Sequence, residues 1–273
     1  IEAWVEVPTL SASVDTNLWI HYGKTTALSD AAQTADDLWE GKSYVVVNHL
    51  DHDLDTNNNT KELQGSVIGV DFNSNNMANA ANQVTGQIGK AIDINQGTVN
   101  NEKVCLEVSG NLSCNGSGAI FDAAVSVRTS SLWYKADTVA SSEERQIIFE
   151  EGGSTNGQNI YIYDGRIYGC TLRSNDATCV STTTTAGEWH HVALLWKSND
   201  VSYLYHDGER VATFTGRVNA NHGNPSALGN IAGSTRVLQT DGTGDESLSF
   251  SSGTSVSYTH LRAHETRHDL VCR

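Results

Sequence analysis

The chain has 273 residues, with 17 Lys and Arg against 32 Asp and Glu, a formal net charge of −15. That balance excludes the basic face a nucleic-acid partner requires and opposes direct adhesion to anionic lipid. No apolar run approaches the ~20 residues of a membrane helix, so direct membrane insertion is not expected.

The first residues show no initiator Met, no basic n-region and no apolar signal segment, so they carry no information about location. Residues 1–24, IEAWVEVPTLSASVDTNLWIHYGK, hold two strand patterns joined by a Ser/Asp turn. Residues 25–43 read as a linker with one helical turn around residues 31–39. An acidic loop follows at residues 51–62. Asp51, Asp53, Asp55, Asn57, Asn59 and Glu62 stand at positions 1, 3, 5, 7, 9 and 12 of that loop, the ligand order of an EF-hand. This makes it a candidate calcium site. Thr56 stands where the tight turn wants Gly, Asn58 where an apolar residue is usual, and no amphipathic helices flank the loop. The competing reading is a solvated Asn-rich loop.

Residues 125–136 carry a strand pattern with Trp133, and residues 147–151 open the central hairpins. Ile160, Ile162 and Ile167 alternate with Tyr161, Tyr163 and Tyr168 around Asp164 and Gly165. Val201, Tyr203 and Tyr205 lead into a second Asp-Gly pair, Asp207 and Gly208, with Val211 and Phe214 beyond it. An Asp-Gly pair between alternating runs is a strong hairpin signal. Trp133, Trp189 and Trp196 all sit in strand patterns, where large aromatics are expected in the core. His190 and His191 look like a ligand pair. Neighbours on a strand point to opposite faces, so the two cannot share one ion without distortion.

Cysteine usage points to an oxidising compartment. Cys105 and Cys114 form one close pair in sequence, and Cys170 and Cys179 another. A hairpin with Ser174 and Asn175 at its tip sets Cys170 opposite Cys179, on a non-hydrogen-bonded site where Cα atoms approach closely. Local pairing, Cys105 with Cys114 and Cys170 with Cys179, is one of three connectivities. The alternative is four free thiols. A fifth cysteine, Cys272, lies in a different kind of segment. Residues 256–273 begin VSYTHLRAHET and resemble a translated sequencing adapter, so they are expected to be disordered and dispensable.

The strand W-H-H-V-A at residues 189–193, followed by a hairpin in which Tyr205 precedes Asp207 and Gly208, resembles the concanavalin A-like, laminin-G-like (LamG) jelly-roll family. The resemblance runs from about residue 44 to residue 250 and is specific in its middle third. It implies an all-β fold, an antiparallel jelly-roll sandwich. By the same resemblance, residues 44–50 are the first strand, residues 86–94 match the strand after it, and residues 227–235 with Phe250 approach the last one. The adapter-like segment stands where the final strand belongs. The expected domain at residues 44–255 is therefore C-terminally truncated, with the edge of residues 44–50 left unpaired and prone to aggregation. Residues 1–24 resemble the C-terminal end of a small bacterial β-domain that precedes such modules. The family match makes His190 and His191 structural, one half-buried and one exposed. Domains of this family often carry calcium.

Most members bind and a minority cleave glycans with paired carboxylates, which a retaining mechanism holds ~5–5.5 Å apart. No E-x-D-x-x-E pattern occurs here, nor GxSxG, HExxH or a Walker loop. Glu150 and Glu151 are adjacent and so expected on opposite faces, and Asp241, Asp245 and Glu246 lie in a loop pattern. The sequence thus reads as a non-catalytic recognition module, extracellular, at the cell surface or periplasmic, that binds a glycan or a surface protein. The alternatives are a fragment of a polysaccharide-degrading enzyme and an architectural spacer of an adhesin.

Overall fold

A computed structural model describes residues 7, 13–15, 17–19, 44–48, 62–64, 70–75, 83–94, 103–108, 124–140, 145–152, 156–173, 176–217, 226–229 and 254–263. Every regular element among them is a β-strand, and every pairing is antiparallel. The strands form two eight-stranded sheets. The first sheet holds β1 (Tyr44–Asn48), β4 (Gln83–Thr85), β5 (Lys90–Ile94), β7 (Val127–Ala136), β12 (His190–Lys197), β13 (Val201–His206), β14 (Glu209–Thr215) and β16 (Thr254–Ala263). Its order is β14-β13-β12-β7-β16-β5-β4, with β1 also on β16. The second sheet holds β2 (Glu62–Gln64), β3 (Val70–Asn75), β6 (Lys103–Val108), β8 (Gln146–Gly152), β9 (Asn156–Tyr163), β10 (Arg166–Arg173), β11 (Asp176–Thr183) and β15 (Ser226–Leu228). Its order is β11-β10-β9-β8-β15-β6-β3-β2. This is the expected jelly-roll sandwich.

The inner faces follow from period-two alternation. Leu132, Tyr134 and Ala136 of β7 and Val192 and Leu194 of β12 meet Phe149, Ile160, Ile162, Ile167 and Leu228 of the other sheet. The sheets lie close enough that a Cβ on Gly169 would come within 2.9 Å of Leu194 Cδ1 and 3.0 Å of Leu204 Cδ1, so those leucine side chains would have to shift to admit it. Both Asp-Gly pairs make the expected turns. Asp164 and Gly165 have φ of 46° and 72°, and Asp207 and Gly208 have 50° and 82°. Two consecutive positive φ angles mark the type I′ turn, whose twist matches that of the flanking strands.

Trp196 faces inward at 3 % exposure. Trp133 does not. It lies between inward-facing Leu132 and Tyr134, is half-buried on the outer face and packs on His191 at 5.3 Å between ring centroids. Trp189 precedes β12 and is also half-buried. Aromatic character alone did not fix which phase of the alternation faces the core.

Cys170 and Cys179 pair across β10 and β11 with Cα atoms 4.2 Å apart, and they form a disulfide. The strands on either side run in register from the pair Arg173 and Asp176, as the two-residue tip requires. Closing so short a loop stabilises by about 2–3 kcal/mol. Reduction, or Cys179→Ser, should therefore lower the melting temperature by several degrees, on the order of 5 °C. Free thiols in unreduced peptide from secreted material would remove the assignment.

The tail corrects an expectation. Residues 254–263 form β16, the central strand that was expected to be missing. It pairs with β7 along one edge and with β5 and then β1 along the other. The ladder is made by backbone groups, which pair whatever side chains they carry. The run VSYTHL is also rich in β-branched and aromatic residues that suit a strand. The edge of β1 is accordingly paired, between Tyr44 and Arg262 and between Asn48 and Thr259. Residues 264–273, with Cys272, lie outside the described residues, as do the helical turn expected at residues 31–39 and most of residues 1–24.

Candidate functional site

Of the acidic loop, Asp51, Asp53, Asp55, Asn57 and Asn59 lie outside the described residues. Glu62 opens β2, its backbone opposite Asn73. Cys105 lies in β6, and Cys114 is outside the described residues. Glu150 and Glu151 are both described, and β8 sends them to opposite faces. Glu150 stands beside Asn159 and Ala227, while Glu151 stands beside Gln158 and Ser226 on the inner face with Phe149.

Glu151 is 2 % exposed and accepts a hydrogen bond from the guanidinium of Arg128, also 2 % exposed. Arg128 belongs to β7 and Glu151 to β8, so this ion pair joins the two sheets. Gln158 Nε2 donates to the second carboxylate oxygen at 3.0 Å. Burial lowers the Arg128 pKa to about 10, which still leaves it charged at neutral pH. A small pocket opens beside the pair, lined by Gln158, Thr171, Leu172, Trp196 and Arg217. Trp196 Nε1 donates to the Arg217 carbonyl at 2.8 Å, and Arg217 Nε donates to Thr178 Oγ1 at 3.0 Å. The Glu151 carboxylate, held by Arg128 and Gln158, forms a clamp between the two sheets.

The outer face of the second sheet is different. It carries its own apolar cluster of Ile147, Tyr161, Cys170 and Leu172, with Tyr163 and Tyr168 packed against it. Tyr161 and Tyr168 stack at 4.9 Å, 7° from parallel, and Tyr168 meets Tyr163 at 6.4 Å. The Arg145 guanidinium lies 4.6 Å over the Tyr163 ring. Arg166 stands directly opposite Tyr163 and is held by Ser181, whose Oγ and carbonyl accept at 2.9 and 3.1 Å. Burial raises the Tyr161 pKa, against the lowering effect of Arg145, so its hydroxyl stays protonated. Tyr163 and Tyr168 are only half-buried. Rings and guanidinium groups on a rigid strand pair form a surface that can stack on a sugar face or anchor a protein side chain.

A third group lies where β12 begins and β13 ends. His190 is buried at 8 % exposure and faces inward, and His191 is half-buried on the opposite face beside Trp133. Both are thus more enclosed than the sequence suggested. The inner-face neighbour of His190 is His206, whose ring lies 5.0 Å from it. Asp207 joins them. Its Oδ2 is 2.7 Å from His190 Nδ1 and 3.6 Å from His206 Nδ1, and its Oδ1 accepts from the His191 backbone N–H at 2.8 Å. Burial raises the Asp207 pKa, but the hydrogen bonds from His190 and His191 and the nearby imidazoles outweigh it, and the net shift is downward. Burial lowers the pKa of His206 against the pull of Asp207, so its imidazole favours the neutral form.

Nothing in the sequence reading singled out Arg128, the tyrosine-arginine face as a site, or His206. A usable signal for His206 was its position immediately before the Asp-Gly turn, which returns β13 alongside β12.

Residues 116–249 match the profile of the concanavalin A-like lectin/glucanases superfamily. No curated protein matches the chain. Among solved structures, the receptor-binding domain of botulinum neurotoxin D is similar with a TM-score of 0.55 at 12 % identity, over 82 % of this chain and 50 % of that one. The binding domain of botulinum neurotoxin DC in complex with SialylT gives 0.56 at 12 %, over 82 % and 49 %. The same domain in complex with rat synaptotagmin II gives 0.55 at 12 %, over 83 % and 49 %. The chain spans about half the length of these neighbours. At such identity the likeness is one of fold.

Proposed function

We propose, from the match of residues 116–249 to the concanavalin A-like lectin/glucanases superfamily, that the protein is a non-catalytic extracellular recognition module for a glycan or a surface protein. The observation that carries the proposal is the tyrosine-arginine face of the second sheet: Tyr163 and Tyr168 half-buried, with Arg145 over one ring and Arg166 opposite it. A pyranose presents an apolar C–H face to a ring and hydroxyls to guanidinium donors. A protein ligand would use the same groups as anchors, since tyrosine and arginine are enriched in binding hot spots. The neighbours in complex with SialylT and with synaptotagmin II support both ligand classes for this fold. The non-catalytic reading is supported by Glu150 and Glu151 facing apart and by Glu151 being tied to Arg128. The acidic loop at residues 51–62 enters this proposal as a candidate calcium site.

The test is a glycan array and a panel of surface proteins probed with the full chain, then with Tyr163→Ala. Loss of such an anchor costs about 2 kcal/mol, roughly a thirtyfold weaker Kd. A ligand whose affinity is unchanged by Tyr163→Ala would move the site off this face. Release of reducing sugar by the wild type, abolished by one acidic substitution, would replace the binding module with a hydrolase.

A further inference from the structure

We infer that His190, His206 and Asp207 form a binding site for a zinc-type divalent cation, on the inner face of the first sheet where it meets the Asp207 turn. Their ligand atoms all lie within 4.8 Å of one another. The two Nδ1 atoms face one carboxylate oxygen, at 2.7 and 3.6 Å. Ligands around tetrahedral zinc stand roughly 3.3 Å apart, given Zn–N and Zn–O bonds of ~2.0–2.1 Å. The His206 pair already has that spacing, and the His190 pair needs to open by about half an ångström. Asp207 can make that adjustment: its side chain is 45 % exposed and it sits on a two-residue turn. The same exposure gives a cation a route in.

The far nitrogens make the arrangement more specific. His190 Nε2 is 2.8 Å from Thr185 Oγ1. His206 Nε2 is 2.9 Å from the Tyr134 hydroxyl, which is 2.6 Å from Thr184 Oγ1. One consistent assignment has each Nε2–H donating to a hydroxyl, with Tyr134 passing its own proton to Thr184. Both Nδ1 lone pairs then point toward Asp207. A metal-binding histidine characteristically has its other N–H held in this way, which fixes the tautomer and ring orientation. A cation bound here would sit between the two Nδ1 atoms and Asp207 Oδ2. Two imidazoles and one carboxylate suit zinc rather than calcium or magnesium, which prefer oxygen.

The experiment uses the full chain stripped with chelator. Zinc should bind at one equivalent and raise the melting temperature by linkage. Cobalt(II) in its place should show the visible absorption of a tetrahedral nitrogen-oxygen site. His206→Gln and Asp207→Asn should lose both responses, and Asn tolerates the positive φ of that turn. Thr185→Val, at an exposed residue, should weaken zinc by about 10–100-fold without removing a ligand. If His206→Gln does not fold, Asp207→Asn and Thr185→Val decide. No zinc response up to millimolar concentration would leave a purely proton-bridged network and overturn the site. So would a response unchanged in Asp207→Asn and Thr185→Val, which would place the cation on other histidines.

Discussion

Replacing Glu151 by Ala should destabilise the protein by about 3–5 kcal/mol, because it removes the carboxylate partner of a charged guanidinium buried between the sheets. Arg128 and Glu151 are each 2 % exposed, so neither exchanges its partner for water. The lowered Arg128 pKa of about 10 still leaves the cation intact at neutral pH. Gln158 would lose the acceptor of its Nε2 donor as well, adding an unmet buried donor. For a domain of this size the loss corresponds to a fall in melting temperature on the order of 10 °C. The double variant Arg128→Met with Glu151→Leu removes both charges and fills the space with apolar side chains, so it should recover most of the loss. Urea and thermal melts of the two variants test the point. A fall of under about 2 °C for Glu151→Ala would show that the guanidinium finds other compensation.

What could be read from the sequence was what local geometry decides. An Asp-Gly pair between alternating runs sets its own turn, and the turn sets the register. Cys170 was therefore placed opposite Cys179 by counting from the tip, and Ile160, Ile162 and Ile167 were phased together. What could not be read was which strands meet across the sandwich. Parity separates Glu150 from Glu151 but does not say that Arg128, on the other sheet, awaits the second of them. The same gap hid the histidine partner. His190 was weighed against His191, its neighbour in sequence, whereas its neighbour in space is His206, brought back by the antiparallel return of β13. Trp133 shows the limit of residue type. Leu132, Trp133 and Tyr134 are three apolar residues in a row, and with Ser130 and Ser131 before them nothing local fixes the phase. Leu132 and Tyr134 went inward, and the largest side chain went out.

Deleting residues 254–273 should cost the protein its cooperative fold. β16 is the only described strand that joins β7 to β5 and β1, so without it the first sheet divides into three pieces: β14-β13-β12-β7, β5-β4 and β1 alone. It pairs with β7 from residue 254 to residue 263, with β5 at residues 254–257 and with β1 at residues 259–262. Removing it opens three strand edges at once. A backbone hydrogen bond contributes about 0.5–1.5 kcal/mol net, and a folded domain has only about 5–15 kcal/mol in total. A ten-residue strand paired on both sides is therefore comparable with the whole stability of the fold. The buried residues Ile92, Ile94 and Tyr134 belong to the strands it joins, and they would lose the sheet that aligns them. The opened edges would also template pairing between chains. The shortened chain should therefore aggregate or unfold without a sharp transition, whereas deleting only residues 264–273 should leave the melting temperature within about 2 °C, the small effect expected of a terminal segment that the sheet does not need. Equal melting temperatures for the intact chain and the 254–273 deletion would mean that β16 contributes nothing to the sandwich. β16 is paired along both of its edges, so its removal measures how much that backbone ladder contributes to the sandwich.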